Sequence, residues 1–270
     1  MKLPPGFSLI RQTRTLIAVR DGYREPLMTM NVADPEGMIV TGPVLRWYEG
    51  RGRPAVLPLK GSERGECIVV RHYTHGGALR HLTGDVYFTW PPRAFRELAA
   101  SETARQRGLK TPPVLAAVVR KTLEFLYRCD LVTLEIPSCR DGWHFFSDLA
   151  DQPGSTDRRR AAARLLGSAV RHIHDIGLYH DDLNLKNLAI RTGEGGVQEV
   201  VVFDLDKAQL SKDVSPQRRR RNILRLNRSI EKFNRRRKIL DRDDKVAFLL
   251  AYYHDHPDPE QVIREYREAL

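Results

Sequence analysis

Apolar residues recur at Ala162, Leu165, Leu166, Ala169, Val170 and Ile173. Spacings of three and four predict an amphipathic helix over 157–176. Gly177 stands where a left-handed residue ends such a helix. Two apolar runs follow, 188–191 and 199–203, separated by Thr192-Gly193-Glu194-Gly195-Gly196, which is the pattern of a β-hairpin. The first fifty residues read as strand-rich. Leu9, Ile10, Leu16, Ile17, Val19, Ile39 and Val40 lie between the turn formers Asp21-Gly22 and Asp34-Pro35-Glu36-Gly37. The run 67–73 predicts another strand. Residues 93–107 predict a helix with Phe95, Leu98, Ala99 and Ala104 inward and Gly108 at its end, and 114–119 and 123–136 predict further strands. Pro137-Ser138 breaks the pattern, and beyond it the chain is mainly helical apart from the hairpin. The expected class is α+β in two lobes of one unit, β-rich over 1–137 and helical over 138–270.

Between the predicted helix and the hairpin lies His180-Asp181-Asp182-Leu183-Asn184-Leu185-Lys186-Asn187, and Asp204 stands just past the second strand. This is H-x-D-x-x-x-x-N, then a strand, then Asp, the order needed by a phosphotransferase of the protein-kinase fold. Asp182 is the candidate to take or orient the proton of an attacking hydroxyl. Asn187 and Asp204 offer hard oxygens for Mg²⁺ on the phosphates of ATP. Aspartate and asparagine are also ordinary turn formers. The regular elements on both sides, at the required spacing, favour the catalytic assignment.

Charge sharpens the choice of partner. The 270 residues carry 45 Lys and Arg against 34 Asp and Glu, a net charge of +11, which favours anionic partners. The arginines at 218–221 and the run Arg235-Arg236-Arg237-Lys238 flank 222–233. No apolar run is long enough to span a bilayer, and Met1-Lys2-Leu3-Pro4-Pro5-Gly6 lacks the apolar core of a secretory signal. Cys67, Cys129 and Cys139 show no metal-ligand spacing and fit a reducing compartment. The expected location is cytoplasmic.

The first lobe has the remaining parts of a nucleotide site. Gly50-Arg51-Gly52 lies between candidate strands and is the candidate phosphate loop, although Gly-x-Gly is equally an ordinary hairpin turn. Arg71 ends Ile68-Val69-Val70-Arg71, where kinases usually carry a strand lysine, and Glu97 in the next helix is its natural partner. An arginine there keeps the charge and adds a planar fork.

Taken together these segments resemble the lipopolysaccharide kinase superfamily, most closely the Kdo kinases. Val69-Val70-Arg71-His72-Tyr73-Thr74-His75-Gly76-Gly77 is similar to that family's V-L-R-H-Y-x-x-G-G. Arg93-Ala94-Phe95-Arg96-Glu97, Gly108-Leu109 with Pro112-Pro113, and Cys129-Asp130-Leu131-Val132-Thr133 with Ile136-Pro137 follow in order. His180 to Asn187, Phe203-Asp204-Leu205-Asp206 and Asn222-Ile223-Leu224-Arg225-Leu226-Asn227-Arg228-Ser229 complete the set, which runs from about Gly50 to Arg228. The resemblance implies an ATP- and Mg²⁺-dependent kinase of a sugar hydroxyl, Kdo on lipid A, acting at the inner face of the bacterial inner membrane. It implies Asp182 as the catalytic residue, Asn187 and Asp204 as metal ligands, and Gly50, Gly52, Arg71, Glu97, Leu134 and Ile136 as nucleotide-binding positions. Asp181 replaces the usual kinase arginine, and Lys207-Ala208 replaces the family's Arg-Gly.

After Asp204 only about a quarter of the chain remains and no A-P-E segment follows, so the platform for a protein substrate is short or missing. That favours a glycan hydroxyl, with lipid A and a peripheral anionic membrane as partners of the basic runs. Two other readings use the same residues: a kinase of another small molecule or of a protein, and a pseudokinase binding nucleic acid or membrane. Intact Asp182, Asn187 and Asp204 argue against the last, and nucleic acid is not the expected partner. No feature sets an oligomeric state.

Overall fold

The computed structural model describes residues 3–49, 52–75, 84–123, 125–193 and 198–266. The chain divides into two compact units. The first comprises 1–105 with 112–136, and the second 106–111 with 137–270.

In the first unit β1 (Phe7–Arg11), β2 (Thr15–Arg20), β3 (Arg46–Trp47), β4 (Ala55–Pro58), β5 (Cys67–His72), β6 (Val114–Lys121) and β7 (Tyr127–Leu134) form one seven-stranded sheet in the order β1-β2-β6-β7-β5-β4-β3. All its pairings are antiparallel. The central strands are apolar on consecutive residues because both faces of the sheet are covered. Strand β2 shows the alternation. Ile17 and Val19 join a core with Leu27 and Met38 of helices α1 (Arg24–Thr29) and α2 (Pro35–Thr41). Ala18 joins the opposite core, with Phe95 and Leu98 of α3 (Arg93–Gln106).

The strand-rich expectation fails at Ile39 and Val40, which lie in α2. Asp34 caps that helix, accepting from the Gly37 amide at 3.1 Å, and Pro35 occupies its first turn. The segment read as a turn is therefore a helix start. Met38 points inward while Val40 is 83% exposed.

The second unit is mainly helical. Helix α4 (Gly142–Ala150) precedes the long α5 (Thr156–Asp175), followed later by α6 (Pro216–Asn234), α7 (Arg242–Tyr252) and α8 (Pro259–Glu265). Helices α5 and α7 pack closely at Gly167, where a Cβ would stand 2.3 Å from the Phe248 carbonyl oxygen. Helix α5 ends at Gly177, with φ of +76°. The expected hairpin is present as β10 (Leu188–Thr192) and β11 (Gln198–Val202), but as part of a three-stranded sheet. A third strand, β8 (Cys139–Asp141), pairs with β10. Its three residues are too few to show a period. Strands β9 (Leu178–His180) and β12 (Ala208–Leu210) pair separately. The molecule is thus an α+β protein with a β-rich first unit and a helical second.

Candidate active site

The loop leaving β9 alternates buried and accessible residues. Leu183, Leu185 and Leu188 have no exposed surface, while Asp182, Asn184 and Asn187 are partly exposed. The three leucines peg the loop to the core and leave its polar residues accessible. Asn184 and Asn187 both donate their Nδ2 to the backbone carbonyl of Asp182, at 2.9 and 3.0 Å. The Phe203 amide donates to the Asn187 carbonyl at 2.9 Å, joining the loop to the end of β11. Asn187 uses its amide nitrogen on Asp182, so Oδ1 is the atom it has to offer a cation.

His180 is fully buried, and its Nε2 lies 3.1 Å from the Phe203 carbonyl. A carbonyl only accepts, so Nε2 carries the proton. Burial holds the imidazole below its usual pKa, against that hydrogen bond and the nearby charges of Asp204 and Asp182. The ring is a neutral strut between the segment of Asp182 and that of Asp204. Asp204 has φ 58° and ψ 63°, a left-handed conformation that aspartate tolerates better than most residues.

Helix α6 supplies the floor. Asn222 donates its Nδ2 to the His180 carbonyl at 3.0 Å. Its Oδ1 accepts from His174, whose other ring nitrogen accepts from the Tyr252 hydroxyl at 2.7 Å. Burial pushes the His174 pKa down to about 4, keeping this chain of bonds neutral. Three residues on, Arg225 donates from Nη2 to Asp182 Oδ1 at 2.5 Å. Four further, the Ser229 hydroxyl accepts from the Leu185 amide at 3.2 Å. Spacings of three and four place all three on one helix face. The sequence carried them only as the run 222–229, with no role for Arg225. The spacing was the available signal.

In the first unit Arg71 of β5 pairs with Glu97 of α3, and the Tyr73 hydroxyl donates to the same carboxylate. Glu97 is 5% exposed at its side chain and Arg71 23%. Adjacent His72 bonds Asp130 at 2.7 Å and Asp85 at 2.9 Å. Burial opposes a charge on that ring, but the two carboxylates outweigh it and raise its pKa. Gly52 lies against the end of β5 with φ of +74°, and a Cβ there would stand 2.3 Å from the His72 carbonyl oxygen. Only glycine fits. Gly50, the other glycine of the expected phosphate loop, is outside the described residues, as are Gly76 and Gly77. Leu134 ends β7 half-buried against the α1–α2 core, and Ile136 closes the first unit. Between them Glu135 accepts from Arg46 and from the Tyr48 hydroxyl, whose pKa burial and that carboxylate push up to about 12.

Part of each basic run is engaged internally. Arg218 lies 4.0 Å over the Tyr179 ring, Arg219 pairs with Asp175 and Asp213, and Arg237 pairs with Asp151. Arg221, Arg228, Lys232, Arg235, Arg236 and Lys238 are exposed.

The lipopolysaccharide kinase (Kdo/WaaP) family model matches residues 50–253. The 3-deoxy-D-manno-octulosonic acid kinase of Vibrio cholerae is 30% identical over 82% of this chain and 88% of that protein. The enzyme of the same name from Haemophilus influenzae strain PittEE is 29% identical over 76% of this chain and 83% of its own. That of Photobacterium profundum is 31% identical over 73% and 78%. A solved structure of WaaP in complex with acyl carrier protein matches with a TM-score of 0.59 at 18% identity, covering 90% of this chain and 91% of that one. At that identity the likeness is one of fold, and the fold is kinase-like. With a family match over residues 50–253 and 30% identity to one of those kinases across 82% of its length, the chain belongs to the lipopolysaccharide kinase (Kdo/WaaP) family.

Proposed function

We propose that this chain transfers the γ-phosphoryl group of ATP to a hydroxyl of 3-deoxy-D-manno-octulosonic acid, Kdo, attached to lipid A. Membership of a kinase family makes it an ATP-dependent phosphotransferase. The acceptor is taken from the names of relatives that align over most of both chains. The observation that carries the chemistry is the loop built around Asp182, with Asn187 bonded to its backbone and Asp204 joined through His180 and Phe203. Between Asp204 and α6 the chain has only a short turn and β12. That leaves little platform for a protein substrate and supports a glycan acceptor.

In this reading Asp182 accepts the proton of the acceptor hydroxyl as its oxygen bonds to the γ-phosphorus and the bond to the ADP oxygen breaks. Asn187 and Asp204 offer an amide oxygen and a carboxylate, the hard donors that suit Mg²⁺. They would hold the ion, which when bound neutralises phosphate charge. Arg71, fixed by Glu97, would place its guanidinium on the phosphates. A radiolabelled phosphate-transfer assay on a panel of lipid A–Kdo acceptors tests the assignment. No transfer to any Kdo acceptor would refute it.

Arg71→Ala is expected to raise the KM for ATP and lower kcat. It also takes one partner from the buried Glu97 carboxylate, which keeps the Tyr73 hydroxyl, a loss of about 1–3 kcal/mol. Arg71→Lys should restore activity in part, because an ammonium keeps the charge but not the fork. Steady-state kinetics in ATP decide, and unchanged parameters in Arg71→Ala would remove it from the site.

Membrane contact belongs to the same proposal. No helix among the described residues is long and apolar enough to cross a membrane, so the reading is one of surface attachment. It is supported by the exposed cations of α6 and by an apolar patch on the first unit. There the bridge between Tyr87 and Tyr127 brings two segments together. Phe88, Trp90, Leu123 and Phe125 on them are 67–81% exposed. Exposed Arg14 and Lys121 adjoin, the Lys121 amide donating to the Arg14 carbonyl at 2.7 Å. Aromatic side chains with nearby cations suit an anionic bilayer interface. The protein should float with phosphatidylglycerol vesicles at low salt and release as salt rises. Replacing Arg221, Arg228 and Lys232 by Gln removes about 1 kcal/mol each near the surface, so flotation should fall while ATP binding holds. Unaltered flotation of that triple variant would leave these cations as solvated helix surface.

A further inference from the structure

Asp182 is the proposed proton acceptor, yet one of its two oxygens is taken. Arg225 donates to Oδ1 at 2.5 Å, with the side chains 41% and 38% exposed. Among the described residues Asp182 is the only side chain that the guanidinium bonds, which leaves most of its five N–H donors without a side-chain acceptor, and the side chain is part-exposed. The helix beneath cannot easily move Arg225 away. Asn222 and Ser229, three before and four after, are both bonded to the segment that carries Asp182. What can change is the side chain: Arg225 is long, part-exposed and held by a single carboxylate. Exposed Arg221, Arg228 and Lys232 extend the positive charge along the same face at spacings of four, three and four.

A proton acceptor whose oxygen is bonded to an arginine is poorly placed to meet a hydroxyl there, because the strongest donor in reach already occupies that oxygen. A second carboxylate would relieve this by taking the guanidinium fork for itself. The acceptor named by the relatives is an acid and carries one.

We propose that Arg225 is the binding site for the acceptor's carboxylate, and that this carboxylate displaces Asp182 from Arg225 as the acceptor docks. The exchange leaves one arginine–carboxylate pair before and one after. Asp182 Oδ1 is thereby released to accept the hydroxyl proton only when an acidic sugar is present. Arg225 acts as a binding and specificity residue, and its neighbours on α6 set a positive field that favours anionic acceptors. The proposal rests on the Kdo reading above.

The test compares two acceptors, lipid A–Kdo and its Kdo methyl ester, which differ only at the carboxyl group, ionised in one and a neutral ester in the other. Wild type, Arg225→Ala and Arg225→Lys are assayed with each, after confirming that all three melt alike and bind ATP alike. Wild type should prefer the acid by about tenfold or more in kcat/KM, the scale of a lost charged hydrogen bond, mainly through KM. Arg225→Ala should turn over acid and ester at similar kcat/KM. Arg225→Lys should recover part of the preference, since it keeps the charge without the bidentate fork. A merely structural clamp on Asp182 would slow both acceptors equally and leave the preference intact, and that result overturns the proposal alone. A wild type that phosphorylates neither acceptor overturns the Kdo assignment and this proposal with it. Equal use of acid and ester by the wild type refutes the carboxylate site while leaving the kinase standing.

Discussion

Asp182→Asn abolishes phosphoryl transfer and leaves Mg-ATP binding at wild-type affinity. This outcome is expected because the substitution changes one property only. Asn184 and Asn187 hold the backbone carbonyl of residue 182, not its side chain, so the loop keeps its shape. The buried leucines on either side are untouched. An amide of the same size cannot take a proton, and general-base catalysis contributes about a hundredfold to ten-thousandfold. The amide keeps an acceptor oxygen for Arg225, and the ion pair whose charge is lost is part-exposed, so stability should change little. Single-turnover transfer read beside calorimetric ATP affinity separates the two effects. Wild-type turnover in the variant would remove Asp182 from the chemistry.

Asp204→Ala is expected to eliminate measurable Mg²⁺-dependent ATP binding, with a second effect that an additional variant isolates. Residue 204 is left-handed, and a side chain with a Cβ but no local hydrogen bonding pays about 1–2 kcal/mol there. Asp204→Asn keeps the tolerance for that conformation and loses only the charge. Both variants should lose Mg-ATP affinity, while only the alanine should melt earlier. Asn187→Ala should weaken binding less, because a neutral amide oxygen is a poorer ligand than a carboxylate. Calorimetry at fixed ATP with Mg²⁺ varied reads the first effect and thermal unfolding the second. Unchanged Mg-ATP affinity in Asp204→Ala would place the metal elsewhere.

Local order in the chain made much of the second unit legible. The three-and-four spacing of 157–176, the glycine at 177 and the apolar runs flanking 192–196 each have a short-range cause, and the corresponding helix, left-handed residue and hairpin are present. The polar loop between them was legible for the same reason, since its ends are set by elements only a few residues away. The reading failed where two local signals compete. At 34–37 a helix cap and a turn use the same residues, and burial of Met38 and Leu27 against the sheet decided for the helix. β8 was invisible because its three residues gain strand character only from pairing with β10, some fifty positions later.

By itself, then, the sequence determined the long helix, the hairpin and the residue types at the candidate catalytic loop, because these follow from periodicity and from turn chemistry within a few residues. Only the tertiary structure decided what those residues touch. It set Arg225 on Asp182 across 43 positions and Asn222 on the His180 carbonyl across 42. It also turned parts of two similar arginine runs into internal ion pairs while leaving other members exposed. Contacts at such separations leave no local period. They exist because burial of the apolar side of α6 and of the leucines beneath the loop brings the polar groups of both within hydrogen-bond reach.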